Sequence, residues 1–161
     1  ATDRAAKLRV DLASGTNGAA VYISRLGSTV SKAQIEFAND NGVVGSIKTS
    51  GSSTSYNTSS DYRLKTDAQP MTGASDRVQA LNPVNFAWLS DGTRVDGFLA
   101  HEAQEVVPEA VSGTKDAVDA DGKPEHQGID QSKLVPLLTA ALQEALTKIE
   151  AMEARLTALE S

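Results

Sequence analysis

The sequence contains no cysteine, only two histidines and very few aromatic residues. The missing thiols exclude a disulfide framework, a cysteine nucleophile and a Cys-based zinc site. His101 and His126 are too few for a His-rich metal centre, and no cofactor is implied. Aromatic residues make up 4% of the chain, and large apolar residues are sparse in its first third. A monomer built from that third would bury too little surface to offset its ordering entropy, so self-association is the expected remedy. No apolar run approaches the ~20 residues that a membrane-spanning helix needs. The opening Ala1-Thr2-Asp3-Arg4 lacks the apolar stretch of a signal peptide and reads as part of something longer.

Charge is unevenly spread. Residues 1–59 hold six Lys/Arg against four Asp/Glu, whereas residues 60–161 hold nine against seventeen. The acidic second part argues against a nucleic-acid partner and reads as a solvated surface.

Residues 8–12, 19–24, 33–38 and 43–48 read as short strands, with apolar and polar residues alternating in Leu8–Leu12 and Gln34–Ala38. Gly15, Asn17-Gly18, Gly27 and Asn39–Gly42 punctuate them, and Asn41-Gly42 is a hairpin signal because both residues tolerate positive φ. Each strand offers about one apolar face with little to pack on. Three copies wound about an axis would give that face a partner and leave no lone edge. Residues 49–59 are almost all small and polar. They fit either a flexible linker or an extended segment that threads into an active site.

Beyond Lys65 the character changes. Ser75–Leu81 reads as a short helix capped by Ser75 and stopped at Asn82-Pro83. Val84–Trp88 and Val95–Ala100 read as strands around an Asp91-Gly92 turn, with Phe86 and Trp88 assigned to the core. Ala103–Val107 reads as a helix ending near Pro108, and residues 112–128 as a polar loop turning at Asp121-Gly122-Lys123. Val135, Leu138, Leu142, Ala145, Ile149, Met152, Leu156 and Leu159 then alternate in steps of three and four. That is a heptad seam, expected as a coiled coil over about 133–160. Pro136 falls in the first turn, where it is tolerated.

Ser59-Ser60-Asp61-Tyr62-Arg63-Leu64-Lys65 lies where these two compositions meet. A serine attacks a carbonyl only when a base removes its proton. With histidine scarce and cysteine absent, the candidate bases are lysine and the carboxylates, and Ser–Lys pairs are one known solution. Spacing alone leaves Ser60 and Lys65 as residues of an ordinary surface loop.

Ser60–Lys65 resembles the S-D-x-R-L-K signature that opens the intramolecular chaperone domain of phage tailspikes and tail fibres. This is the S74 peptidase group, found on endosialidases, neck appendages, L-shaped tail fibres and, more distantly, the myelin regulatory factor. Leu81–Trp88 is similar to the family's l-x-P-v-x-F-x-w strand. Gly97–Val111 is similar to its G-f-i-A-q-E-v-x-x-v-x-P-e-a-V block, and Ile129-Asp130 to Leu134 and the heptads follow in order. The resemblance covers residues 60–161. It implies an α+β fold, with a β-rich trimeric fibre stalk end over 1–59 and a mixed chaperone domain over 60–161.

It also implies a single-turnover serine autopeptidase. Ser60 would be the nucleophile, Lys65 its general base and Ser59–Ser60 the bond cut. Asp61 and Arg63 would support them: Arg63 by holding down the lysine's pKa or stabilising the oxyanion, Asp61 by orienting one of these groups. The implied partners are two further copies in a homotrimer and the parent stalk as substrate, with no nucleic acid and no membrane. A host receptor would be met only through other parts of the parent protein. The stalk would belong to the virion tail fibre or tailspike, and the released chaperone to the host cytoplasm during bacteriophage assembly. The alternatives are a permanent uncut trimeric cap and a receptor-binding fibre tip with residues 112–128 as its contact loop. His101 stands where the family often has Gln, so it is expected to pack rather than catalyse, and Glu102 is expected to be structural.

Overall fold

The computed structural model describes residues 30–160. The strands expected at 8–12 and 19–24, with the turns around them, lie outside the described residues. The chain forms two compact units, residues 1–68 and 69–161. That division falls after Ala68, so Ser60–Lys65 is grouped with the strands before it.

The described part of the first unit is an antiparallel meander of β1 (Lys32–Asn39), β2 (Gly42–Ser50) and β3 (Ser53–Thr58). The expected Asn41-Gly42 turn joins β1 to β2. Gly42 takes φ +90, and the Asn39 side chain accepts from the Asn41 amide at 2.9 Å. The register pairs Ile35 with Ile47 and Ile47 with Tyr56, so one apolar row crosses all three strands. Tyr56 is nonetheless 80% exposed and Phe37 54% exposed, because the sheet has no second layer among the described residues.

The linker reading of residues 49–59 is overturned. Residues 53–58 form β3, hydrogen-bonded to β2 along their whole length. Serine, threonine and asparagine on both faces erase the period-two signal, but they do not prevent main-chain pairing once β2 offers an edge.

The second unit comprises helices α1 (Ala74–Ala80), α2 (Ala100–Val106) and α3 (Val135–Glu160), with hairpin strands β4 (Val84–Ala87) and β5 (Arg94–Gly97). The two-residue strands β6 (Val111–Ser112) and β7 (Gly128–Ile129) close the loop between them. The expected turn in that loop is present: Gly122 has φ +77 and donates to the Asp119 carbonyl at 2.9 Å. The core is small, with Ala74, Leu81, Ala103, Val107, Ala110, Leu134 and Leu137 buried. Small side chains let α1 approach α3 closely, and Arg77 donates to the Val106 carbonyl at 2.9 Å, satisfying the end of α2.

Three local expectations are corrected. Ser75 is not the cap of α1; the cap position is Gly73, at φ +66 and without a side-chain bond. The free amides of Ala74 and Ser75 and the Ser75 hydroxyl bond instead to the carboxylate of Glu144, reaching over from α3. Ala100 opens α2 rather than closing a strand, and β5 stops at Gly97, where a Cβ would stand 3.1 Å from the Phe86 ring. Trp88 is not core: it is 54% exposed and meets Phe86 edge to face with ring centroids 5.1 Å apart.

Helix α3 bears out the expected long terminal helix. Its buried face carries Leu137, with Ala140 and Ala141 packed beside it. The large residues of the heptad seam, from Val135 to Leu159, are 46–81% exposed, and Ala145 is exposed with them. The seam is therefore a second face that the single chain leaves unused.

Three bonds to α1 hold the Glu144 carboxyl down, from an ordinary 4.5 to about 2, with the Ser75 hydroxyl the largest cause. A carboxyl with a lowered folded pKa stabilises fully above its unfolded value, and the contribution fades as pH falls toward the folded one. Glu144→Gln is expected to lower Tm at neutral pH. Thermal unfolding of both proteins should show the difference closing between about pH 4.5 and about 2.

Candidate functional site

Ser59 continues the line of β3 one residue beyond its last paired position. Its amide donates to the Val44 carbonyl at 3.0 Å and its hydroxyl to the Val43 carbonyl at 3.3 Å. Immediately afterwards the chain leaves the sheet and winds into a single 3-10 turn over Tyr62–Leu64.

Asp61 makes that turn. It stands at the cap position with extended backbone, and its Oδ1 accepts from the Arg63 amide at 2.9 Å. The turn's own main-chain bonds run from Leu64 to the Asp61 carbonyl and from Lys65 to the Tyr62 carbonyl, both 3.1 Å. The Arg63 guanidinium folds back on the same carboxylate, Nε to Oδ1 at 2.9 Å and Nη2 to Oδ2 at 2.8 Å. These bonds push the Asp61 carboxyl below its ordinary value, the Arg63 side chain contributing most, and Asp61 in turn raises Arg63. Planar forks of this kind fix orientation as well as charge.

Lys65 ends the turn with extended backbone, and its side chain returns across it. Nζ donates to Ser60 Oγ at 2.8 Å. The structure thus brings Ser60 and Lys65 into direct contact and pairs Asp61 with Arg63 beside them. Within the pair, the Asp61 carboxylate holds the Arg63 guanidinium in place. Every residue from Ser59 to Lys65 is exposed in the single chain.

Ser–Lys contact at 2.8 Å suits proton transfer. A neutral amine at this separation can accept the hydroxyl proton. Nothing in sequence spacing pointed to the Ser59 contacts, because Val43 and Val44 lie in a different strand and act through their carbonyls.

The remaining candidates sit elsewhere, in the second unit. His101 and His126 line an open cleft of about 310 Å³ with residues 114–117 and 124–127. Glu102 accepts from the Asn82 side chain at 2.9 Å, tying α2 to the residue before Pro83. Among the described residues there is no group of three or more His, Asp or Glu placed to hold a metal ion, and no helix long and apolar enough to cross a membrane.

Residues 60–112 match the Peptidase_S74 family, described as chaperone of endosialidase. The match starts at the serine that Lys65 contacts and runs through the β4–β5 hairpin and α2 to β6. It bears out the resemblance carried by Ser60–Lys65 and by the two blocks that follow, and it supports an intramolecular chaperone role for this segment. No curated protein matches the chain.

Asp61→Ala removes both the turn's cap and the partner of the Arg63 fork. Protection of the Arg63 Nε–H signal in NMR spectra should be lost in this variant. Asp61→Asn, which keeps an acceptor for the Arg63 amide, should retain part of it.

Proposed function

We propose that this chain is the end of a phage fibre or tailspike stalk joined to a chaperone that trimerises it and then cuts itself free at Ser59–Ser60. The observation that carries the reading is the 2.8 Å contact between Lys65 Nζ and Ser60 Oγ, at the residue where the family match begins.

In this reading Lys65, in its neutral form, takes the Ser60 hydroxyl proton as Oγ attacks the carbonyl carbon of Ser59. The C–N bond of the tetrahedral adduct breaks, the departing α-amine of Ser60 gains a proton, and Ser59 is left as an ester on Oγ. Water hydrolyses the ester, giving a carboxylate on Ser59 and restoring the hydroxyl on Ser60. No external reagent but water is consumed, and each chain reacts once.

Trimerisation rests on the exposed seam of α3, which presents seven large apolar side chains and Ala145 along one stripe. A coiled coil buries such a stripe against its copies. The apolar row Ile35–Ile47–Tyr56 asks for the same remedy in the stalk. Joining three chains at their ends raises the effective concentration of strands whose interchain contacts form slowly. Removing the chaperone afterwards makes the stalk's stability kinetic. The stalk would then reside in the virion and the released domain in the infected cell.

The purified chain is expected to give two fragments in an intact-mass spectrum, the second beginning at Ser60. Ser60→Ala and Lys65→Ala should each leave one uncut chain that still assembles. Native cleavage in Ser60→Ala would refute the dyad, and an uncut parent would favour a permanent cap. Leu142→Asp combined with Ile149→Asp should turn the trimer into monomers by light scattering, since two charges would enter each buried seam.

A further inference from the structure

We infer that strand β2 is the clamp for the acyl side of the cleavage site: the carbonyls of Val43 and Val44 position Ser59, so the bond is cut only when β3 lies in register on β2. The inference rests on the self-cleavage reading above and adds what controls it.

The two sides of Ser59–Ser60 are held by different parts of the chain. On the Ser60 side the hydrogen bonds are local. Lys65 reaches Ser60 across five residues, and Asp61 and Arg63 close the turn between them. That arrangement needs nothing beyond residues 60–65. Ser59 belongs to the other side, and its anchors, Val43 and Val44, are sixteen and fifteen residues back along the chain in β2. Its amide bond to Val44 extends the β2–β3 ladder beyond the last paired residues, Gly45 and Thr58.

Attack requires the hydroxyl oxygen at about 3–3.5 Å from the carbonyl carbon and in line with its open face. The turn fixes the hydroxyl, and β2 holds the amide and side chain of Ser59, from which its carbonyl extends. With β3 unpaired, the dyad forms but the Ser59 carbonyl rotates freely, and the productive arrangement is rare. Main-chain bonds of an extended segment to a strand edge are a general way to hold a peptide for recognition. Here the segment held is the chain's own.

Gly45 marks the point where the fit is closest. A Cβ there would stand 3.1 Å from the Asn57 carbonyl oxygen, a main-chain atom of β3, and 3.7 Å from the Phe37 ring. Glycine at 45 lets β3 close onto β2 two residues before Ser59. Any larger residue must push β3 away at the place where the clamp begins.

The test uses the full chain and follows the rate of fragment appearance after refolding, with oligomeric state and helical circular dichroism recorded for each protein. A glycine inserted between Thr58 and Ser59 leaves residues 60–65 unchanged but shifts Ser59 off Val44. Its cleavage should fall roughly 100-fold, the usual cost of an ångström-scale misplacement. Thr58→Gly puts the same residue before Ser59 without the shift and should cut at close to the parent rate. Gly45→Ala should slow cleavage several-fold and Gly45→Val more. In a Ser60→Ala background, where nothing is cut, the Ser59 amide should be protected from hydrogen exchange and lose that protection with Gly45→Val. Parent-rate cleavage by the insertion protein, or an unprotected Ser59 amide in the uncut chain, would overturn the clamp. Persistent cleavage in Ser60→Ala or Lys65→Ala would instead overturn the dyad, leaving the clamp data to be read on their own.

Discussion

A seven-residue helix has too few internal hydrogen bonds to offset the cost of nucleating it, so α1 exists only because something else holds it. That support is the Glu144 carboxylate, which takes both leading amides of α1 and the Ser75 hydroxyl. The core of the second unit follows from this contact. Once α1 is pinned to α3, Ala74 and Leu81 meet Leu134 and Leu137, and Ala103 of α2 with Val107 and Ala110 just after it completes the cluster. A carboxylate at a helix N-terminus also sits at the favourable end of the peptide dipoles. Structure in this unit is thus organised from the long terminal helix outward.

The same helix shows where the chain's supply of apolar surface goes. One face closes the core and the other is left open, and among the described residues the first unit repeats the pattern with a sheet one layer thick. With aromatic content so low, large side chains to complete a core are few. Among the described residues, incomplete burial thus recurs in both units. The hairpin of β4 and β5 adds a smaller instance, with Trp88 half exposed and Leu89 fully so. Its opposite face is well satisfied through Asn85, Arg94 and Asp96.

Regular patterns made much of this legible in the sequence. The Asn41-Gly42 turn, strands β1, β2 and β4, the end of α2 and the whole of α3 follow from alternation, turn residues and heptads. What failed has a common cause. Strand β3 is polar on both faces except at Tyr56, so little but its partner defines it. The cap of α1 comes from a residue 69 positions away, and no local signal announces it. Ser60 and Lys65 are intermediate. Five extended residues would span roughly 17 Å, and only the turn capped by Asp61 brings the two side chains together. Resemblance to a family marked the pair; spacing did not.

The bonds that hold Ser59 have a further thermodynamic meaning. They lie wholly on the strand side of Ser59–Ser60, while the bonds among residues 60–65 close within their own turn. Scission there would erase no rung of the β2–β3 ladder and unwind no part of the turn. It would exchange one covalent tie for two independently moving ends, one an anion and the other an ammonium. Departure of the C-terminal portion would then be driven by the translational freedom of the separated pieces, with the enthalpy of the folded sheet left almost untouched.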